Sequence, residues 1–323
     1  MTLPIRTLAD DEKITDPGFY QISMDRHHNQ PCDGPSVTSG ILRKMELETP
    51  ADVWAFHKLN PDSWPDEDRP ALWLGRAMAA YVEGGMDEVA KHFLVMPDDA
   101  PHRPTATQIK AFETNGFWSE SARPRAEFWD KIDADPRTPL KDGEITMIKN
   151  MGTALAADPA ATVVMSGVPE ITMAYQCERT GIWVLARPDT VSFDGTLSDY
   201  KKMNTMGSPF NHRLVDQRIT KHGYDMQMGL AATAFQRLTG EWPGIVSIVA
   251  QWDKPPHHVI PREISEEDLT FGQFRNERAI LRFSECLASG HWPGPAEDVG
   301  AYQRPEWQRN QILEEMQMEG KAP

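Results

Sequence analysis

Cysteine is scarce in this chain: Cys32, Cys177 and Cys286 are the only three in 323 residues, far apart and odd in number. They support neither a disulfide framework nor a paired zinc site, and three thiolates fall short of the four that an iron–sulfur cluster takes. Apolar runs of 18 residues are also missing, and the opening Met1-Thr-Leu-Pro-Ile-Arg-Thr-Leu-Ala-Asp-Asp lacks the basic-then-apolar pattern of a leader. A cytoplasmic protein with no membrane partner is therefore expected. No Gly-x-x-x-x-Gly-Lys-Ser/Thr occurs, so no P-loop motor is expected in this chain. Neither an internal repeat nor a Gly/Ser- or Pro-rich divider is present, which favours one domain over residues 1–323. Positive charge is short as well, because 33 Lys and Arg against 48 Asp and Glu leave a net −15. That balance works against duplex binding by bulk charge, which relies on Lys and Arg displacing counterions. Local distribution matters more than the total, however. Between Lys201 and His222 stand five Lys or Arg (Lys201, Lys202, Arg213, Arg218, Lys221) and a single acid, Asp216. This stretch reads either as an ordinary solvated helix face or as a surface that tracks a phosphate backbone.

The pattern along the chain divides it into an N-terminal helical part (1–140), a core (141–255) and a C-terminal helix and tail (256–323). The first part has helix-like runs such as Ala71 to Val82, followed by a Pro-rich connection from Pro97 to Pro104. In the core, Asp142 is placed to cap a helix from Glu144 to Ala156, with Ile145, Ile148 and Leu155 at helical spacing. Glu170 to Gln176, the polar turn Cys177-Glu-Arg-Thr-Gly181 and Ile182 to Ala186 read as a β-hairpin. Helices are expected over Asn211–His222 and Tyr224–Leu238, then a buried strand over Gly244–Ala250. Ser265 is placed to cap a long helix through Leu287, and a proline-containing tail runs from about Pro293 to the end.

Most of the chemistry lies between Arg187 and Lys201. Arg187-Pro188-Asp189 is followed ten residues after its aspartate by Asp199-Tyr200-Lys201. Side chains alternate along a strand, so a strand over Leu197–Lys201 aims Asp199 and Lys201 to one side and Tyr200 to the other. Two acids and a lysine thus converge, and a third acid, Glu170, opens the hairpin strand. Carboxylates are the ligands that Mg²⁺ or Mn²⁺ prefers, and an ammonium beside the ion can hold a water and offset charge on a phosphate. This is the equipment of a phosphodiesterase. Lys202 points the other way and reads as solvated, and Arg187 reads either as a phosphate-neutralising group or as an exposed strand-end arginine.

With these motifs in order, the chain resembles the PD-(D/E)XK nuclease superfamily and, within it, the exonuclease VIII (RecE-like) family of phages and prophages. The likeness covers most of the sequence: Ile22-Ser-Met-Asp-Arg-His-His-Asn, Gly34-Pro-Ser-Val-Thr-Ser-Gly-Ile-Leu-Arg43 and Thr49-Pro-Ala-Asp52 resemble the family's opening. Leu74-Gly75-Arg-Ala-Met-Ala79 falls where it has a Gly-x-x-x-His helix. Glu170, Asp189, Asp199 and Lys201 match its catalytic acids and lysine, and Gly223-Tyr224-Asp-Met-Gln227 matches its glutamine-bearing helix. The fold this implies is α/β, a restriction-endonuclease-like core with a small mixed β-sheet flanked by helices and extra N- and C-terminal helices.

The resemblance further implies Glu170, Asp189 and Asp199 as metal ligands for Mg²⁺, with Mn²⁺ as the second choice, and Lys201 as the water-positioning group. Gln227, Tyr224 and Arg187 become substrate-binding candidates, although a glutamine on an apolar helix also reads as a satisfied core amide. The function implied is an exodeoxyribonuclease that degrades linear duplex DNA from its ends, 5′ to 3′, in phage-type recombination. A homo-oligomeric ring and a phage single-strand annealing protein as partner are implied with it. Two positions depart from the family: Ala79 stands where its histidine is expected, and Ala231 where its tyrosine is expected, with Tyr224 on the same face as a substitute. Two other readings stand beside the exonuclease: a catalytically degenerate DNA-binding or assembly protein on the nuclease fold, and an endonuclease.

Overall fold

A computed structural model describes residues 3–9, 11–65, 70–97, 99–296 and 302–320, with side chains of the fourth helix described from residue 73. The chain begins with β1 (Ile5–Thr7), β2 (Gly18–Gln21), α1 (Met24–His28), β3 (Ser36–Thr38), α2 (Ser39–Leu47) and α3 (Pro50–Ala55). It continues with α4 (Pro70–His92), β4 (Phe93–Met96), α5 (Ala106–Asn115), α6 (Arg123–Asp133), β5 (Thr138–Lys141), α7 (Asp142–Ala156) and α8 (Pro159–Val164). Next come β6 (Val168–Pro169), β7 (Thr172–Gln176), β8 (Trp183–Ala186), β9 (Thr190–Val191) and β10 (Thr196–Met203). Last are α9 (His212–His222), α10 (Tyr224–Thr239), β11 (Ile245–Trp252), β12 (Val259–Glu263), α11 (Glu266–Ser289) and α12 (Glu306–Met318).

The mixed α/β architecture agrees with the expected class, but the strands form more than one sheet. One has five strands in the order β1-β2-β7-β8-β3, a second the order β12-β11-β10-β9-β6, and β4 and β5 make a small parallel pair. The expected hairpin is present, with β7 and β8 antiparallel in the register Met173↔Ala186 to Gln176↔Trp183. Its neighbours are β2 and β3, so the first 140 residues contribute strands as well as helices. Those strands are only three or four residues long, too short to show a period in the sequence.

The second sheet carries the Asp199 motif. β10 runs parallel to β11, with Asp199 opposite Ile248 and Lys201 opposite Ala250. The segment between the two strands folds as α9 and α10, the crossover that a parallel pair requires. α10 is apolar on all sides: Met226, Met228, Leu230, Ala231, Ala232, Ala234 and Phe235 are buried. A helix of that kind has to lie inside, and α10 packs on β7, β8, β10 and β11 with α11 across its back.

α10 and α11 approach closely because Gly229 and Gly272 face the opposing backbone. A Cβ on Gly229 would lie 2.8 Å from the Leu269 carbonyl oxygen, and one on Gly272 would lie 2.5 Å from that of Asp225. Asn276 reinforces the crossing by donating to the Met226 carbonyl at 2.8 Å. Ser265 caps α11 as expected, accepting from the Asp268 N–H at 3.1 Å. Asp142, expected as a cap, is instead the first residue of α7; Glu144 reaches back to the Lys141 N–H at 2.9 Å and supplies that end's capping bond. The expected tail contains α12, with residues 297–301 and 321–323 outside the described residues; residue 98 of the Pro-rich connection and the first two residues of the chain also lie outside them. Among the described residues no helix is long and apolar enough to cross a membrane.

Gly272→Ala is predicted to cost about 2 kcal/mol, the usual scale of forcing a methyl into packed backbone. Thermal denaturation should show a Tm lower by several degrees, whereas Gly75→Ala, on α4 with nothing within 4 Å and no left-handed backbone, meets no such contact. Equal Tm for Gly272→Ala and the unmutated protein would show that the helices do not cross this closely.

Candidate active site

β10 delivers Asp199 and Lys201 to the face covered by α10, and the alternation expected from the sequence holds. Leu197 on that face is buried in the main core, while Tyr200 on the other packs with α4 and α7 and donates its hydroxyl to Gln251 Oε1 at 2.7 Å. Asp199 is 1 % exposed. Its Oδ1 accepts from Gln227 Nε2 at 2.7 Å, and its Oδ2 forms an ion pair with the Lys201 ammonium. Gln227 is thus neither a self-satisfied core amide nor turned to open solvent; it fixes the orientation of the motif's second aspartate.

Asp189 sits on the short link between β8 and β9. Its Oδ2 accepts the Tyr200 backbone N–H at 2.6 Å, a bond that ties the first aspartate to the strand carrying the second. Burial raises the Asp189 carboxyl well above its ordinary value, and the charge of Asp199 raises it further, against the opposing pull of Lys201. For Lys201, burial works against the charge, but Asp199 and Asp189 outweigh it and hold the pKa above that of a free lysine. Lys201 is therefore an ammonium at neutral pH. Its Nζ lies 5.1 Å from the centre of the Tyr224 ring, which places Tyr224 beside the site.

Glu170 has a left-handed backbone, φ 58°, uncommon for a non-glycine residue and found where surrounding contacts enforce it. Here its N–H donates to the Asp189 carbonyl at 3.0 Å. Its carboxylate takes a 2.6 Å bond from Arg187 Nε and lies 2.5 Å from the second guanidinium nitrogen. Arg187 is not an exposed strand-end residue: its side chain is 7 % exposed and also donates to the Ile22 carbonyl at 2.7 Å. The structure therefore engages Arg187 with Glu170. Among the described residues no three His, Cys, Asp or Glu side chains converge tightly enough to hold one ion.

The site opens into a cavity of about 200 Å³ lined by Glu170, Asp189, Tyr200, Ala79 and Glu83. A neighbouring cavity of about 580 Å³ shares Ala79, Glu83 and Glu170 with it and adds Arg76 and Arg187. Ala79 stands at the joint wall. Glu83 is a lining residue that the motifs did not single out; burial raises its pKa first, then the charge of Glu170. The signal for it was spacing, since it follows Ala79 by four residues on α4 and so projects from the same face. Ala231, at the expected tyrosine position, is 1 % exposed and packed in the core.

The donor set suits a hard divalent cation. Mg²⁺ keeps several waters and takes one or two carboxylates plus substrate phosphate, and Asp189 and Asp199 form a pair whose mutual repulsion such an ion relieves. Glu170 would first have to leave Arg187 to join them.

A family model described as a PDDEXK-like domain of unknown function (DUF3799) matches residues 42–305. The chain belongs to this family. The PDDEXK-like fold is also shared by a crystal structure from Eubacterium rectale described as "Putative exonuclease", with TM-score 0.58, 13 % identity, and 88 % of this chain and 96 % of that one covered. A phage related exonuclease from Haemophilus somnus 129PT overlaps at TM-score 0.30 and 14 % identity over 59 % of this chain and 92 % of that one, an overlap too loose to argue from. Comparison with curated proteins finds no match.

The raised Asp189 pKa has a consequence for this PDDEXK-like domain. The folded state holds a proton there that the unfolded state has released, so stability falls as pH climbs from the usual carboxylate range toward the raised value. Melting followed across that window in EDTA should show the decline, and saturating Mg²⁺ should flatten it by holding the carboxylate ionised. Asp189→Asn should flatten it without metal; an unaltered decline in that variant would assign the proton elsewhere.

Proposed function

We propose that this PDDEXK-like protein is a Mg²⁺-dependent exodeoxyribonuclease that hydrolyses linear duplex DNA from its ends, with Mn²⁺ as an alternative ion. The observation that supports it most is the fixing of Asp189 by the Tyr200 N–H and of Asp199 by Gln227 and Lys201, with Asp189 facing a cavity. Asp189 and Asp199 are the residues that would hold the ion, and such an ion supplies Lewis acidity toward a phosphate and a more acidic bound water. Gln227 keeps the Asp199 carboxylate in one orientation, and the Tyr200 N–H does the same for Asp189. Lys201, charged, donates a hydrogen bond that orients the attacking water and offsets charge growing on the phosphate. Water adds to phosphorus as the bond to the 3′ oxygen breaks. The 5′-to-3′ direction, a ring of subunits and pairing with a single-strand annealing protein in phage-type recombination belong to the same proposal and rest on the family resemblance; a cytoplasmic location belongs to it from the composition of the chain.

The binding-only reading has one observation in its favour: Glu170 is neutralised by Arg187, so the three acids do not gather. One experiment separates the readings. The protein and Asp199→Asn are incubated with Mg²⁺ and an equimolar mixture of linear and covalently closed circular duplex DNA. Loss of the linear form alone is expected, with the variant slower by at least about 10²-fold because it lacks a charge aimed at the reacting centre. Cutting of the circle would make the protein an endonuclease. Survival of both DNAs in Mg²⁺ and in Mn²⁺, with binding retained, would establish the binder.

A further inference from the structure

The Tyr224 ring that meets Lys201 also lines a space opposite in charge to the acidic cavity. A cavity of about 210 Å³ lies between the end of β10, the C-terminal turn of α9 and the start of α10, and its lining includes Lys202, Asn204, Arg218, His222 and Tyr224 without one carboxylate. Arg218 is held in place by donating to the Asn204 carbonyl at 3.4 Å. The His222 ring lies against Tyr224 at 5.5 Å between centres, and Arg43 from α2 reaches the same ring at 5.5 Å while donating to the His222 carbonyl at 3.1 Å. Asp216, the single acid in the Lys201–His222 stretch, is engaged by Arg262 at 2.8 and 3.1 Å. Lys202, Arg218 and Lys221 have no ion-pair partner among the described residues. In a chain of net charge −15, a recess lined by Lys202 and Arg218 and by no carboxylate, with Asp253 bonded to the lining Asn204 at 3.1 Å, favours an anion. The crowding also registers on His222, whose pKa is lowered by burial and then by Arg218, Lys221 and Arg43.

We propose that this recess is a phosphate subsite: Lys202 and Arg218, with Tyr224 as the wall shared with Lys201, hold a backbone phosphodiester of the cut strand, next along it from the one being cleaved. The subsite rests on the nuclease reading. It gives Lys202 a role that its alternation away from Lys201 had hidden, because the strand end and α9 together fold around one small space. The order Lys201, Tyr224, Lys202 and Arg218 then sets one strand's path across an otherwise acidic protein.

The test is equilibrium binding of a short fluorescein-labelled duplex in Ca²⁺ at several salt concentrations, using the unmutated protein, Lys202→Gln/Arg218→Gln and Arg218→Lys. Loss of one phosphate contact makes the slope of log affinity against log salt shallower by about 0.9. That change is expected in the double variant, with several-fold weaker binding for every sequence tried, and Arg218→Lys should keep the original slope. Equal losses on duplexes with 5′-phosphate and 5′-hydroxyl ends support a backbone contact; a loss confined to phosphorylated ends would overturn it in favour of an end-binding recess. An unchanged slope in a double variant that still binds overturns the subsite and leaves the nuclease reading intact, whereas no DNA binding by the unmutated protein removes both. Should the double variant melt early, Lys202→Gln alone is read by affinity, with the Arg218 hydrogen bond untouched: several-fold weaker binding is expected, and unchanged affinity overturns the subsite.

Discussion

A carboxylate with almost no solvent exposure needs charge and hydrogen bonds in place of its lost water. Asp199 is in that position in the middle of β10, and the molecule answers with an amide from α10 on one oxygen and an ammonium from the same strand on the other. The rest of the architecture depends on this arrangement. α10 has to run across β10 at a fixed height for Gln227 to reach, which requires the parallel β10–β11 pair beneath and the glycine-lined contact with α11 behind. Tyr200, pointing the other way, anchors the strand through Gln251, which in turn donates to the Met151 carbonyl on α7 at 2.9 Å. A strand held on both faces can offer its backbone N–H to Asp189 at a fixed place.

Charge is partitioned around that centre rather than spread. Glu83, Glu170 and Asp189 line one cavity, while Lys202, Arg218 and His222 line another together with the Tyr224 ring. The acidic side suits cations and the basic side suits phosphate, so the low overall positive charge reports on the surface at large and not on this region. Arg187 belongs to the acidic side, where its pairing with Glu170 keeps two buried charges compensated.

The two positions that depart from the family acquire different meanings in three dimensions. Ala79 lies where two cavities meet, so the missing imidazole leaves open space beside Glu83 and Glu170. Ala231 is enclosed by core side chains, and the aromatic ring nearest the lysine is that of Tyr224, one turn N-terminal to Gln227's face.

The sequence by itself determined the hairpin, the helix pair, the capped α11 and the side-by-side projection of Asp199 and Lys201, because each follows from local periodicity or turn chemistry within a few residues. It also determined the family, since the motifs occur in order over most of the chain. Tertiary structure alone decided the partners: that Gln227 fixes Asp199, that Arg187 is taken by Glu170, that short strands near the N-terminus complete the hairpin's sheet, and that Glu83 and Lys202 face cavities. Those outcomes join residues up to 165 positions apart, as in the bond from Arg187 to the Ile22 carbonyl. Local pattern carries no information about such pairings, because burial and distance set them only once the sheets and α10 have packed.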